Sequence, residues 1–459
     1  MKDQTLWEKI DQCEFDQPRA EYSFSVRLAS ENYWTDDFTK KAILEYKKFM
    51  YLAAVYDAMV SPSAIVDVVW HQHLIFTQSY QEFCSLLGKQ IQHIPSTHNK
   101  EDAEKFIRAK ERTKKFYLDE FGAQPSAIWE YEDMYASLQL PKAKYKLRSF
   151  VIVGLFAVIL LAVPFYFVLR PIYMQLGNPG FVWVYFVGGI FIFLLMEWFN
   201  KGHLRKLTQA FPKDSFIHHL HPYELIYLKN QNLENIVHAA TNEAVLVGAI
   251  GFQNKQSFEL KHPEYAKSPL QWQVSRICEE QKSKFYHETF HRLLRKPMIR
   301  NFSSSMNALM KYFNKSKAFH RLFGLNFLIL ACWFLLGFTR IMTGMMRDKP
   351  VFIITVICIL FGIFSIIYLY SLTKKFGKST LPEIYKHKIL TKSTGDEAWK
   401  WQYCYGRQEA LNMLFLPAVL YVVKSQRSDS DSSSTSSCVT SDSSCGSSCS
   451  SCGGCGGGD

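Results

Sequence analysis

The run FVIVGLFAVILLAVPFYFVL, from Phe150 to Leu169, holds no charged residue. A helix needs about 20 apolar residues to cross the hydrocarbon core of a bilayer, so this run predicts a membrane-spanning helix. Three more runs share this character: FVWVYFVGGIFIFLL (181–195, extending to 199), FGLNFLILACWFLLGF (323–338) and VFIITVICILFGIFSIIYLYSL (351–372). Buried helices of a large soluble protein are the alternative, and the arrangement in two close pairs disfavours it. The sequence therefore predicts a mainly α integral membrane protein with four spans.

Short links, 170–180 and 339–350, join the two runs of each pair, so each pair is predicted to form a helical hairpin, at 149–199 and 323–373. Lys and Arg concentrate outside the hairpins, as in Lys142, Lys144, Lys146 and Arg148 before the first run and Lys374, Lys375 and Lys378 after the fourth. Such residues favour the cytoplasmic side. The N-terminus, the middle segment and the C-terminus are therefore expected in the cytoplasm, with the spans in the inner membrane. The polar N-terminus lacks the apolar core of a secretory signal.

The middle segment, 200–322, is strongly basic, with 19 Lys and Arg against 9 Asp and Glu. Helices are predicted at 221–228 (HPYELIYL), 233–237 and 241–247, and the alternation of 252–260 favours a hairpin. Helix, helix, helix, hairpin is the order of a winged helix. The third helix holds no Lys or Arg, which argues against nucleic-acid recognition. A protein-binding domain lying against an anionic membrane surface explains the charge better.

The N-terminal segment, 1–145, is predicted to be a helical domain that holds the motif DVVWHQH at 67–73. Its candidate metal or ligand residues are Asp67, His71, His73, Cys84 and His93, and Zn²⁺ is the candidate ion. On a regular helix, side chains two residues apart point about 200° apart, so His71 and His73 share an ion only on a turning backbone. The alternative is structural: Trp70 and Tyr80 are core residues, and the histidines cap helices or satisfy buried carbonyls. No catalytic residue is assigned.

The C-terminal part divides into a segment at 374–424 and a tail at 425–459. ALNMLFLPAVLYVV, 410–423, is too short to span and is expected to lie at the interface or pack against the hairpins. The tail is rich in Ser, Cys and Gly and is predicted to be disordered. Its thiols are Cys438, Cys445, Cys449, Cys452 and Cys455. Closely spaced thiols suit metal binding, covalent modification or disulfide formation, and incidental cysteines in a flexible tail are the alternative.

Two resemblances extend this interpretation. DVVWHQHLIFTQSYQEFC followed by GKQIQHIP resembles the signature of the glycine-rich domain-containing protein-like family over about residues 35–135. The matching positions are Asp67, Trp70, His71, His73, Tyr80, Cys84 and His93. HPYELIYL and GFTRIMTGMMRDKPVFIITVI (337–357) are similar to uncharacterised bacterial membrane proteins with a Gly/Cys-rich end, over about 145–459. That group ends in nearly pure Gly and Cys, whereas this tail carries many Ser residues. Neither resemblance implies a biochemical activity.

Together these features favour a non-enzymatic, membrane-tethered scaffold that binds the bilayer and a protein partner. The alternatives are a metal-binding protein or enzyme that uses the histidines, or a tail that is a target of thiol modification. A transporter would need a polar residue facing a cavity inside a span, and the sequence offers none that is evident.

Overall fold

The computed structural model describes residues 1–17, 19–94, 100–252, 257–281, 285–389, 398–406 and 408–431. Over these residues the protein is mainly helical, and they include four helices long and apolar enough to cross a membrane, as predicted. The tail thiols fall outside the described residues.

The N-terminal unit consists of α1 (Gln4–Gln12), α2 (Phe24–Asn32), α3 (Asp36–Val55), α4 (Ala64–Ile75), α5 (Thr77–Leu87), α6 (Lys100–Phe121) and α7 (Ser126–Trp129). Local chemistry sets several of these helix ends. The side chain of Ser63 accepts from the backbone N–H of Val66 at 3.2 Å and so caps α4. Gly88 ends α5 at a φ of 67°, in the left-handed region that glycine adopts without strain. The motif DVVWHQH therefore lies wholly on a regular helix.

The long apolar helices are α8 (Leu147–Gln175), α9 (Asn178–Gln209), α15 (Lys317–Met345) and α16 (Phe352–Lys375). Helix α15 is the centre of the group, because α8, α9 and α16 all pack against it. Helix α8 precedes α9 in the chain, but its main packing is with α15, where Gly154 faces the ring of Phe327. The two helices of each predicted hairpin are consecutive in the chain. In the packed structure, however, α15 contacts the helices of both pairs.

Contacts at the two ends of these helices fix their relative direction. Near the start of α15, Asn326 and Asn200 of α9 exchange amide hydrogen bonds at 2.7 and 2.9 Å, and Asn200 also donates to Tyr368 of α16 at 2.8 Å. Phe150, at the start of α8, packs at the same level against Phe327. The chain segments before α8, between α9 and α15, and after α16 therefore lie at one end of the group. These buried amides bond one another and line no described cavity.

Arg340 lies at the opposite end and is buried within α15. The sequence interpretation placed it in the link 339–350, but the helix continues to Met345. Its guanidinium donates to the carbonyls of Tyr173 and Leu176, at 2.6 and 2.9 Å, where α8 ends. The aromatic rings of Tyr173 and Phe181 flank it at 5.6 and 5.1 Å. The charge satisfies carbonyls that a helix C-terminus otherwise leaves unpaired, which explains why an arginine is accommodated here.

The middle segment holds α10 (Pro222–Asn230), α11 (Glu234–Leu246), β1 (Ile250–Phe252), β2 (Phe258–Leu260), α12 (Pro269–Glu280), α13 (Tyr286–Leu293) and α14 (Pro297–Asn314). The two strands pair antiparallel, with Gly251 opposite Glu259. The second and third helices predicted from the sequence are one continuous helix, α11. The order is therefore two helices and a strand pair, and the winged-helix prediction is not confirmed.

The remaining helices are α17 (Leu381–Ile389), α18 (Ala398–Cys404) and α19 (Leu416–Asp431). The segment 410–423, expected at the interface or against the hairpins, packs against the middle segment and leaves Met413, Leu414, Leu420 and Tyr421 exposed. Phe415 contacts the rings of Tyr286 and Phe252 at 4.9 and 5.2 Å, and α19 packs against α13 of the middle segment. The disorder prediction from residue 425 also begins too early, because α19 continues to Asp431. The rest of the predicted tail, 432–459, lies outside the described residues.

The N-terminal unit and the middle segment share one hydrophobic core. Polar contacts reinforce the junction: the backbone N–H of Asp36 donates to Glu224 at 3.1 Å, and the Tyr135 hydroxyl donates to the carbonyl of Ser305 at 3.2 Å. The segments predicted as separate domains therefore form one body at one end of the long helices.

Candidate metal centre

Three of the five candidate residues in the N-terminal unit come together. Asp67 and His71 lie one turn apart on the outer face of α4, and His93 approaches from the chain after α5. His93 Nε2 lies 3.0 Å from Asp67 Oδ1, and His71 Nε2 lies 3.4 Å from Asp67 Oδ2. One ligand atom from each residue falls within 4.8 Å of the others. We call these residues the Asp67–His71–His93 cluster.

A hydrogen-bond chain positions His93 although it lies outside a helix. Trp70 Nε1 donates to the Tyr80 hydroxyl at 3.2 Å, and that hydroxyl donates to the carbonyl of Ile91. The ring of Trp70 also packs edge-on against His93, with centroids 4.7 Å apart. Trp70 and Tyr80 are both buried. The core residues of the motif therefore bring the chain after α5 back to the outer face of α4.

His73 has a different environment, because it points into the core. Its side chain is fully buried, with Nδ1 2.9 Å from the Tyr46 hydroxyl and Nε2 3.0 Å from the Ser79 hydroxyl. Both ring nitrogens thus have protein partners. Burial lowers the pKa of His73 to about 4, so the ring is neutral at pH 7. The structure separates His73 from the cluster, because residues two apart face opposite sides of a regular helix.

Cys84 is also separate from the cluster. It is a buried residue of α5 and a member of the core that surrounds His73. The five tail thiols proposed from the sequence lie outside the described residues, so the geometry of the cluster involves none of them.

A cleft of about 670 Å³ opens beside the cluster. Asp67 and His93 form part of its wall, and Trp70, Phe49 and Ile91 give it an apolar floor. His71 is more exposed, with 58% of its side chain accessible, against 16% for His93. A small molecule in this cleft would therefore meet Asp67 and His93, whereas His71 is not part of the cleft lining.

A second cavity, of about 400 Å³, lies where the N-terminal unit meets the middle segment. Glu243 and Lys400 meet in its wall at 3.3 Å, and the Tyr223 hydroxyl donates to Glu243 at 2.6 Å. His221 caps α10 by accepting from the backbone N–H of Tyr223 at Nδ1, so the neutral ring carries its proton on Nε2. Burial lowers the pKa of His221 to about 4.

Glu224 joins the two parts of the protein next to this cavity. It is almost fully buried and accepts from the backbone N–H of His221 at 2.7 Å and from that of Asp36 at 3.1 Å. Burial raises the pKa of Glu224 to about 8, against the lowering effect of these two donors. HPYE at 221–224 was predicted from the sequence to begin a helix, and no site was predicted there. The spacing of His221 and Glu224, which is that of a capping box, is a local signal for their contact. No local pattern in the sequence indicates that Lys400 reaches this cavity.

Comparison with known proteins gives one result for this part of the chain. A family model described as UCP032817-like matches residues 24–113, a range that contains the whole Asp67–His71–His93 cluster. No curated protein and no solved structure matches the chain. Over its N-terminal unit, this chain is therefore similar to an uncharacterised family, UCP032817-like.

Proposed function

We propose that this protein is a membrane-anchored metal-binding protein and that Asp67, His71 and His93 bind a Zn²⁺ ion. The observation that carries the proposal is the convergence of one carboxylate and two imidazoles, with ligand atoms within 4.8 Å of one another. Imidazole and carboxylate are ordinary zinc ligands.

The distances support a single ion. Zinc bonds of 2.0–2.1 Å in a tetrahedron place neighbouring ligand atoms about 3.3 Å apart. His93 Nε2 lies 3.0 Å from Asp67 Oδ1 and His71 Nε2 lies 3.4 Å from Asp67 Oδ2, and both distances are close to that value.

Three protein ligands leave a fourth position for water or for a small molecule from the neighbouring cleft. An open position is typical of zinc sites that exchange ligands or perform chemistry, whereas structural sites are closed by four protein ligands. We assign no reaction to the site. Its function in this proposal is reversible zinc binding, with the fourth ligand supplied from the cleft.

The proposed anchor is the group of α8, α9, α15 and α16, in the inner membrane. The distribution of Lys and Arg along the sequence supports a cytoplasmic position for the cluster and for the middle segment. The likeness of the N-terminal unit to the glycine-rich domain-containing protein-like family, and its fusion to a second membrane-protein family, belong to the same proposal.

The test is zinc binding by the full-length protein purified in detergent. We expect one high-affinity zinc per chain in a titration, together with a tetrahedral Co²⁺ spectrum when cobalt replaces zinc. Loss of an outer partner of a metal ligand commonly costs about 10–100-fold in affinity. Removing a direct ligand, in His71→Asn or His93→Asn, should weaken zinc binding by at least that factor.

His262→Asn is the matched control, because His262 is an exposed histidine paired with Glu264 in the middle segment. It should bind zinc as the unsubstituted protein does. A folded protein that binds no zinc, or equal binding by all three variants, would refute the proposal and indicate that Asp67 only pairs with the two histidines.

A non-enzymatic scaffold is our alternative proposal. The specific observation that favours it is the junction of the N-terminal unit with the middle segment, which presents one continuous body beside the long helices. Retrieval of the same protein partner by the unsubstituted protein and by His71→Asn would support this alternative. A zinc-dependent partner would instead link it to the metal centre.

A further inference from the structure

Two apolar grooves open on the sides of the long helices. The first, of about 760 Å³, lies between α8 and α15, and we call it the α8–α15 groove. The second, of about 630 Å³, lies between α9 and α16 and is lined mainly by aromatic and aliphatic side chains. Small residues make room in the first groove, among them Gly154 and Ala157 on α8 and Gly324 and Ala331 on α15.

The depth of the α8–α15 groove matches one leaflet of a bilayer. Its apolar wall runs from Gly324 to Leu335 on α15 and from Phe150 to Phe165 on α8, which is about 17 Å and about 22 Å of helix at a rise of 1.5 Å per residue. Half of a hydrocarbon core about 30 Å thick is about 15 Å. The groove is therefore long enough to take one acyl chain of a single leaflet.

Positive charge surrounds only one end of this groove. Lys142, Lys144, Lys317, His320 and Arg321 line it beside the start of α8 and α15. No Asp or Glu occurs among the described residues that line it. Within the described chain, none of the four Lys and Arg side chains forms an ion pair with a carboxylate. We call the four Lys and Arg residues the cationic rim, and the α9–α16 groove has no charged lining residue.

Backbone hydrogen bonds hold the two halves of the cationic rim together. The N–H of Lys317 donates to the carbonyl of Pro141 at 2.7 Å, and the N–H of Ala143 donates to the carbonyl of Lys315 at 2.8 Å. Helices α8 and α15 both begin at this rim, so their positive ends also point towards it. The cations are thus fixed in position above the apolar groove.

We propose that the α8–α15 groove binds an anionic phospholipid from the surrounding leaflet. One acyl chain lies along Gly154, Ala157 and Ala331, and the phosphate lies among Lys144, Lys317 and Arg321. Lysine binds phosphate as a point charge, and arginine presents a planar pair of donors. An uncharged apolar molecule would leave the cationic rim unused, whereas a soluble anion would leave the groove unused. An anionic lipid is the ligand that meets both features.

The first test compares lipids that differ only in head-group charge. The full-length protein, stripped of lipid in detergent, is titrated with phosphatidylglycerol or phosphatidylcholine of identical chains, and bound lipid is counted by native mass spectrometry. We expect the anionic lipid to bind preferentially. Each cation near a phosphate contributes roughly fivefold in affinity, so Lys144→Gln with Arg321→Gln should weaken phosphatidylglycerol binding by roughly 25-fold.

The matched control removes two charges elsewhere at the same end of the long helices. Lys374→Gln with Lys378→Gln lies beyond the end of the apolar run in α16 and outside the α8–α15 groove. This double variant should retain the preference for the anionic lipid. Equal losses in both double variants would show that general surface charge, and not the groove, is responsible, and would overturn the proposal.

The second test fills the groove and leaves every charge in place. Ala157→Phe puts a ring into the groove, whereas Val163→Phe puts the same ring on an exposed face of α8 that does not line it. We expect Ala157→Phe alone to lose the bound lipid, with unchanged helical content by circular dichroism. Retention of phosphatidylglycerol by Ala157→Phe, or equal binding of both lipids by the unsubstituted protein, would sink the proposal.

Discussion

At the scale of single residues, two histidines of one motif have opposite surroundings. His71 is exposed beside Asp67, and His73 is enclosed between Tyr46 and Ser79. The angular spacing of a helix predicts from the sequence that the two cannot share an ion. It does not predict which one turns outward, because that depends on how α4 packs. The approach of His93 depends on contacts over many residues, which a local pattern does not contain.

A pair of substitutions separates these two environments. His73→Ala removes a buried ring and leaves Tyr46 and Ser79 without their partner, so it should lower the free energy of unfolding by about 2–4 kcal/mol. His71→Ala, measured with a chelator present, should change it by less than about 0.5 kcal/mol. Denaturant unfolding of the full-length protein in detergent measures both values. Equal destabilisation by the two variants would contradict this assignment.

His73 also predicts a dependence of stability on pH. An unfolded histidine binds its proton near pH 6.5, whereas the folded-state pKa of His73 is about 4. Between these values the unfolded chain binds more protons, so the free energy of unfolding falls as the pH is lowered from about 6.5 to about 4. His73→Gln should flatten this slope in unfolding measurements at several pH values.

The quantity to compare in that experiment is the pH slope of the free energy of unfolding, measured for His73→Gln and for the unsubstituted protein. Glu224, whose pKa burial raises to about 8, acts in the opposite direction and is present in both proteins. An identical pH slope in His73→Gln and the unsubstituted protein would show that His73 does not titrate in this way.

At the scale of elements, the four apolar runs predicted the long helices because hydrophobic length is a property of the sequence itself. The end of α15 was misplaced because an arginine normally marks the border of a membrane. Arg340 is instead satisfied by the last carbonyls of α8, a contact between helices that local hydropathy cannot reveal. The same limit applies to α19, whose partner is the middle segment.

Replacement of Arg340 tests the contact between α8 and α15. Arg340→Met leaves two buried carbonyls at the end of α8 without donors, so the free energy of unfolding should fall by about 2–4 kcal/mol. Arg347→Met is the control, because Arg347 is exposed and makes a single 3.4 Å contact with the carbonyl of Met174. Thermal unfolding in detergent should show a large loss only for Arg340→Met, and similar losses would contradict the capping role.

Close packing between α9 and α15 gives another prediction. A Cβ atom at Gly188 would come within 2.7 Å of the Trp333 ring, so Gly188→Ala forces these helices apart. Overpacking of this kind commonly costs about 1–3 kcal/mol. At Gly202 of the same helix a Cβ meets nothing within 4 Å, so Gly202→Ala should not destabilise the protein. Comparison of the two melting temperatures measures the effect, and a stable Gly188→Ala protein would contradict the observed spacing.

At the scale of the whole molecule, an N-terminal domain and a middle domain were predicted as separate units because the first two apolar runs lie between them in the sequence. In the structure, apolar residues of the N-terminal unit and of the middle segment pack together in one hydrophobic core. Composition could not reveal this, since each segment carries enough apolar residues for a core of its own. The cavity lined by His221, Glu243 and Lys400 exists only because of this union.

Topology mapping tests the resulting layout. Reporters placed after residues 145, 260 and 430 should all give the signal of one side of the membrane, and those placed in the links near 177 and 348 should give that of the other. The arrangement of Asn200, Asn326 and Tyr368 requires this alternation of helix directions. A reporter at 260 on the side opposite to one at 145 would contradict it.

The shared core has a consequence for the order of events at the ribosome. Residues of the N-terminal unit, such as Asp36 and Tyr135, are translated well before their partners Glu224 and Ser305. Two long apolar helices must leave the ribosome in the interval. During biosynthesis the nascent N-terminal unit therefore keeps an uncovered apolar face until the chain beyond α9 has been synthesised.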